Sequence, residues 1–122
     1  MQNLSTRNDE HWLADIVLAC ETIDGIIEGL DEAAFRSSEL HRSSTLLHLI
    51  NIGEAVSRIS TTLQNTYPII QWREIKDFRN YSVHAYFAVD WKLIWGAAFV
   101  DAPLLHEQVI NILETDFPEF WG

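Results

Sequence analysis

Apolar residues in this chain recur three and four positions apart through stretch after stretch, and nowhere do they alternate for long enough to line one face of a strand. That period commits the chain to helices. From Asn8 to Gly29, the residues Trp12, Ile16, Ala19, Ile23 and Ile27 form one stripe, with Leu13 and Cys20 beside it. The spacing predicts an amphipathic helix of about six turns, ended by Gly29. A short acidic piece, Asp31 to Phe35, comes next, and Ser37 or Ser38 is placed to cap a second long helix. There Leu46, Leu47, Leu49, Ile50, Ile52, Val56 and Ile59 give a broad apolar face, while Gly53 and Ala55 are small enough to let a neighbouring helix come close. This helix is expected at the centre of the bundle.

Asn65 and Pro68 interrupt the pattern. After them Trp72, Ile75 and Phe78 repeat at three on one face, and Arg73, Lys76 and Arg79 repeat at three on another, so a third helix is predicted from about Gln71. Its end is expected between His84 and Phe87, because Tyr81, Ser82 and Val83 are weak helix formers. Asp90 is a good cap for a fourth helix from Trp91 to about Val100, and Asp101 with Pro103 in the first turn restarts it as a fifth. Leu105, Val109, Ile112 and Leu113 of that last helix face inward. The aromatic tail, Phe117 to Trp121, either packs over the bundle end or forms a subunit contact. With 122 residues, 5 Gly, and no linker or internal repeat, the chain reads as one domain over 1–122: an all-α, antiparallel bundle of four or five helices.

Composition narrows what such a bundle can do. There are 18 Asp and Glu against 8 Lys and Arg, a formal charge of -10, which excludes a broad basic surface for coating nucleic acid; no DNA partner is expected. A single cysteine, Cys20, excludes an intrachain disulfide and a cysteine-based zinc site. No stretch reaches the ~18 apolar residues of a membrane span, and the start, Met1 to Asp9, has no apolar core segment, so a cytoplasmic protein with no membrane association is expected. The GxGxxG, P-loop and HExxH patterns are missing, and no cofactor is expected. His41 and His48, seven apart, share a helix face without a third ligand spaced to join them, so no metal is expected either. His11 and His106 read as surface residues, and Asp15 and Glu54 as acids on solvated helix faces.

The densest polar chemistry lies in Arg79-Asn80-Tyr81-Ser82-Val83-His84-Ala85-Tyr86. An arginine can hold a phosphate bidentately and stabilise charge added in a transition state, and a histidine titrating near neutral pH can move a proton. These are the two groups that a metal-free RNA cleavage with the ribose 2'-hydroxyl as nucleophile requires. Asn80 and Ser82 could orient the phosphate, and Tyr86 adds a phenol. At ~100° per residue, positions five apart differ by ~140°, so Arg79 and His84 do not share a face of a regular helix. Either the helix breaks between them, or a working site is assembled from two copies across a two-fold axis. On the residues alone the other reading stays open, an arginine ion-paired with Glu74 or Asp77 and a partly buried histidine.

The segments Tyr67-Pro68, Trp72-Arg73-Glu74-Ile75, Arg79-Asn80, His84-Ala85-Tyr86-Phe87, Val89-Asp90 and Trp95 together resemble the signature region of the HepT-like family, ribonuclease toxins of the HEPN superfamily. Arg79 and His84 fit the family's Arg-x4-6-His pattern, and Tyr86 completes its longer Arg-x4-His-x-Tyr form. Ile52-Gly53-Glu54-Ala55 resembles a second recurrent block of the family, and the likeness runs from about Asp9 to Leu113.

The resemblance implies a HEPN-like bundle, a homodimer with the two motifs facing each other, and metal-independent endoribonuclease activity as the toxin of a type VII-like toxin-antitoxin pair. It implies that Arg79 and His84 are catalytic, that Asn80 positions the phosphate, and that Tyr86 is modified. The implied partner is a minimal nucleotidyltransferase antitoxin of the MntA type, which transfers AMP from ATP onto that tyrosine. An alternative function is a non-catalytic helical module that forms a nucleotide-binding complex with such a nucleotidyltransferase. Three of the eight basic residues, Arg73, Lys76 and Arg79, crowd into seven positions beside the motif, so RNA binding is expected to be local, weak and lost as salt rises.

Overall fold

Asp9 begins the first helix and also ties it to a remote part of the chain. One of its carboxylate oxygens accepts the Ser60 backbone N–H at 2.8 Å, and the other accepts the Ser60 hydroxyl at 2.6 Å. The computed structural model describes residues 7–82 and 87–122. In it α1 (Asp9–Ile27) is followed by α2 (Glu32–Arg36), α3 (Glu39–Arg58), α4 (Thr61–Thr66), α5 (Trp72–Lys76), α6 (Trp91–Gly96), α7 (Ala102–Asp116) and α8 (Pro118–Trp121). A 3-10 turn, Asp77–Asn80, extends α5, and a π-helical turn, Ala97–Asp101, joins α6 to α7. Among the described residues there is no strand, and no helix is long and apolar enough to cross a membrane. The molecule is an all-α bundle.

The boundaries have local causes. Gly29 takes φ 77°, the left-handed conformation that glycine enters without a Cβ penalty, one residue beyond the cap of α1. Side chains of Asp31, Ser38, Ser60 and Asp90 accept backbone N–H groups in the first turns of α2, α3, α4 and α6. Of the two serines expected to cap α3, Ser38 does so. The six-residue α4, which no periodic apolar pattern announces, depends on the Ser60 cap and on buried Leu63.

Three long elements carry the core. Leu13, Ile16, Val17, Ile23 and Ile27 of α1 pack against Leu46, Leu49, Ile52 and Val56 of α3 and against Leu105, Val109, Ile112 and Leu113 of α7, all buried. Burying each such side chain stabilises the fold by roughly 1.5–3 kcal/mol. The start of α1 meets the end of α3 through Asp9 and Ser60, and its late residue Glu21 meets the early α7 residue His106 at 2.9 Å, so both neighbours run antiparallel to α1. α3 packs on α1, α2, α5, the 3-10 turn and α6, as expected of a central helix. Leu47, assigned to its apolar face, is instead 46% exposed.

Two helix ends differ from expectation. The third helix gives up α-geometry at Lys76, tightens into the 3-10 turn and stops at Asn80, with Tyr81 extended at φ -71° and ψ 159°. Asn80 and Ser82 compete for backbone hydrogen bonds and aromatic Tyr81 loses side-chain freedom in a helix, which shortens it. The fourth and fifth helices do not separate. Ala97 and Ala102 both keep right-handed helical dihedrals, and the Ala102 N–H donates to the Ala97 carbonyl five residues back. Pro103 has no N–H to give an α-helical partner, and the wider turn just before it absorbs that loss without ending the helix.

The tail folds back as α8, with Phe117 and Trp121 against the core and Phe120 edge-on to His11 at 5.0 Å. Packing over the bundle end is therefore the arrangement of the tail. It half-buries His11, which is not a surface residue.

Candidate active site

The segment that holds the polar motif is pinned before it begins. The Trp72 indole N–H donates to the Tyr67 carbonyl at 2.9 Å, and the Tyr67 hydroxyl donates to the Asp116 carboxylate at 2.7 Å. That hydrogen bond, then burial, then the carboxylate's charge push the Tyr67 phenol up to about 12 from 10.0. The Tyr67-Pro68 turn is thus tied both to the start of α5 and to the end of α7.

From this anchor the two predicted faces emerge. Trp72 is buried, Ile75 and Phe78 are half-buried, and Arg73 and Arg79 are exposed. The Tyr81 N–H donates to the Phe78 carbonyl at 3.1 Å to close the 3-10 turn, and the Tyr81 ring stacks on Phe78 at 5.9 Å. Beneath the turn lies α3. A Cβ at Gly53 would sit 2.6 Å from the Arg79 backbone nitrogen, 3.0 Å from the Lys76 oxygen and 3.1 Å from the Ile75 oxygen. The close approach expected of Gly53 is made, and it is made against backbone.

The helix therefore ends between Arg79 and His84, so the ~140° offset of a regular helix does not apply to the pair. Asn80 is exposed as the last residue of the turn. His84 and Tyr86 lie outside the described residues.

Charge is distributed unevenly around this turn. Arg7 pairs with Asp15, Arg36 with Glu32 and Arg58 with Glu54, and Arg42 lies over the Trp91 ring. Arg73, Lys76 and Arg79 have no ion-pair partner among the described residues. Neither Glu74 nor Asp77 takes up Arg79, so the ion-paired reading of that arginine does not hold there. Lys92, at the start of α6, is likewise without an ion pair among the described residues, so three of the four cations left available are gathered at the motif.

Other candidates turn to local partners. Asp15 and Glu54 sit in the surface pairs just named. His41 Nδ1 is 2.5 Å from the Ser38 hydroxyl, and His48 Nδ1 donates to the Ser44 carbonyl at 2.8 Å. His106 pairs with Glu21, a partnership across 85 positions that helical spacing could not reveal. Among the described residues no group of His, Cys, Asp and Glu is arranged to hold a metal. Burial pushes the Cys20 thiol up to about 12 from 9.0, with Glu21's charge adding to the shift, which leaves no nucleophilic thiolate at neutral pH.

The fold is an all-α bundle of the HEPN-like class, and on a tight turn it presents an arginine with no ion pair among the described residues, backed by a close helix-to-turn contact. The profile of the family described as ribonuclease HepT-like matches residues 16–112, and the chain belongs to that family. It is 30% identical over 99 residues to a Thermococcus cleftensis protein named "Probable ribonuclease HepT", covering 81% of this chain and 90% of that one. It is 26% identical over 106 residues to a Methanocaldococcus jannaschii protein named "Putative RNase", covering 87% and 97% of the two chains. A third such protein, from Caldanaerobacter subterraneus subsp. tengcongensis, is 27% identical over 105 residues, with 86% and 94% covered. No solved structure matches the chain.

Proposed function

We propose that this protein is a metal-independent endoribonuclease that works as the toxin of a type VII-like toxin-antitoxin pair, with Arg79 and His84 as its catalytic residues. The observation that carries the reading is Arg79: exposed, unpaired among the described residues, and held by its backbone on a turn beside Arg73 and Lys76. Membership of a ribonuclease family supplies the reaction class.

In the proposed reaction His84 removes the 2'-hydroxyl proton, the 2'-oxygen attacks phosphorus, and the bond from phosphorus to the 5'-oxygen breaks. The departing oxygen takes up a proton, which leaves a cyclic phosphate on one fragment and a hydroxyl on the other. Arg79 binds the non-bridging oxygens as charge accumulates on them, and Asn80 helps to position the phosphate.

A homodimer fits the surface. Ile69 is 80% exposed, Val100 62% and Leu104 55%. Ile69 and Leu104 flank an apolar cleft of about 190 Å³ that Phe78, the neighbour of Arg79, also lines. A second copy covering this face would bring two motif turns towards one another. The regulatory partner in this reading is a minimal nucleotidyltransferase antitoxin that transfers AMP onto Tyr86 and so blocks the site by bulk and charge.

The test is RNA cleavage by the purified protein in EDTA. Arg79→Ala and His84→Ala are each expected to lower cleavage at least 100-fold, within the usual range for losing a general acid-base group or a charge-stabilising donor. Either variant cutting as well as the parent would remove that residue from the site. Incubation with the partner and ATP should add AMP to the peptide carrying Tyr86 and not to a Tyr86→Phe protein, as read by mass spectrometry.

A further inference from the structure

The structure assigns Gly53 as a positioning residue for Arg79: the bare backbone of α3 at this point is the seat on which the turn carrying the arginine rests. The inference rests on the ribonuclease reading above and deepens it. Glycine in a helix interior is less favourable than alanine, so its presence inside a 20-residue helix calls for a local reason.

That reason is visible in what a methyl group would meet. Its carbon would lie 2.6 Å from the Arg79 nitrogen, far inside the ~3.5–4.0 Å at which non-bonded atoms attract, and it would also crowd the carbonyl oxygens of Lys76 and Ile75. All three atoms are backbone. None can swing aside as a side chain would, so the turn must move as a unit. Gly25 and Gly96, the glycines of α1 and α6, have nothing within 4 Å of the same hypothetical carbon, so among the three helical glycines only the one beneath Arg79 is required by a close approach.

The contact fixes the start of the arginine side chain while leaving its end free. Arg79 is exposed, and the chain departs from helical geometry two residues later. With no regular helix continuing beyond Asn80 to hold the turn in register, the face of α3 supplies the restraint. A displacement of about 1 Å at a group that stabilises a transition state can cost 100-fold in rate. Ground-state attraction of RNA by Arg73 and Lys76 depends far less on where Arg79 points.

The experiment compares Gly53→Ala with Gly25→Ala as control. We expect kcat for RNA cleavage to fall 10- to 100-fold in Gly53→Ala with KM within about threefold of the parent, and Gly25→Ala to match the parent. In an Arg79→Ala background, Gly53→Ala should remove nothing further, because its effect passes through the arginine. Amide hydrogen exchange by mass spectrometry is the second readout: peptides covering residues 76–81 should exchange faster in Gly53→Ala, while those of α1 should not change.

Unchanged kcat in Gly53→Ala alongside an Arg79→Ala that is dead would overturn the assignment and leave the ribonuclease reading standing. Unchanged exchange at 76–81 would overturn it whatever the activity. A Gly53→Ala protein that does not fold would also overturn it, since Gly53 would then belong to the folding core. If the parent and Arg79→Ala cleave RNA equally, the ribonuclease reading is the one that fails, and exchange alone decides whether Gly53 seats the turn.

Discussion

Thr45 is fully buried in α3 and its hydroxyl has no hydrogen-bond partner among the described residues. Such a group has left water without compensation, so replacement by valine, which keeps the shape and discards the oxygen, is expected to stabilise the protein by about 1 kcal/mol. A higher urea midpoint for Thr45→Val would record it, and a lower one would place an unseen partner on the oxygen. Cys20 makes a prediction in pH. Its thiol is raised from 9.0 to about 12, so the unfolded chain loses that proton first as pH rises. The corresponding stability is complete below pH 9 and is lost as pH climbs through about 12. Tyr67 acts in the same direction, between 10.0 and about 12. Cys20→Ala should therefore be somewhat less stable than the parent at pH 8, yet lose less stability between pH 8 and pH 11 in urea unfolding. Equal losses in the two proteins would count against the buried thiol.

Among the elements, α6 depends most plainly on one side chain. The Asp90 carboxylate accepts the Lys92 and Leu93 N–H groups at 3.1 and 3.3 Å. Asp90→Ala should cost about 1 kcal/mol, measured by thermal unfolding, and Asp90→Asn should restore most of it. The cap was legible from the sequence, as were the stripe of α1 and the two faces of α5, because each is a local pattern of side chains repeated at the helical period. Two boundaries were not legible. Asp101 and Pro103 read as a restart because a proline usually interrupts a helix, and nothing in the local order of residues announces a π turn. The early end of α5 was hidden in Asn80-Tyr81-Ser82, whose helix-breaking tendency is weak singly. Of the site, Arg79 and its companion cations could be read from spacing, and Gly53 from its size. That Gly53 meets the backbone of Arg79 itself needed the fold, since 26 residues and two short helices separate them.

The whole molecule is acidic, at -10, and Arg73, Lys76 and Arg79, three of the four cations without an ion-pair or ring partner among the described residues, are gathered on one short stretch. RNA binding carried by Arg73, Lys76 and Arg79 should weaken steeply with salt, with a slope set by about three phosphate contacts per subunit; single-stranded RNA contributes about 0.7 per contact to that slope. Fluorescence anisotropy from 50 to 200 mM salt would measure it, and Lys76→Ala should lower the slope by one contact. The apolar face makes a separate prediction. Leu104→Glu should shift a dimer to monomer in sedimentation at micromolar protein without changing the helical content; a variant that stays dimeric would move the contact elsewhere.

The π turn at Ala97–Asp101 holds one more residue than an α-helical path between the same ends would require. Chain length is consequently least constrained there, in an element that otherwise crosses the bundle without a loop. Deleting Val100 together with Pro103→Ala should turn the π turn into ordinary α-helix and leave α7 facing α1 as before. Deleting Val17 from α1 should rotate Ile23 and Ile27 by ~100° out of the core. The first protein should unfold cooperatively and the second should not, which makes this turn the place where the long helix can gain or lose a residue without losing its register.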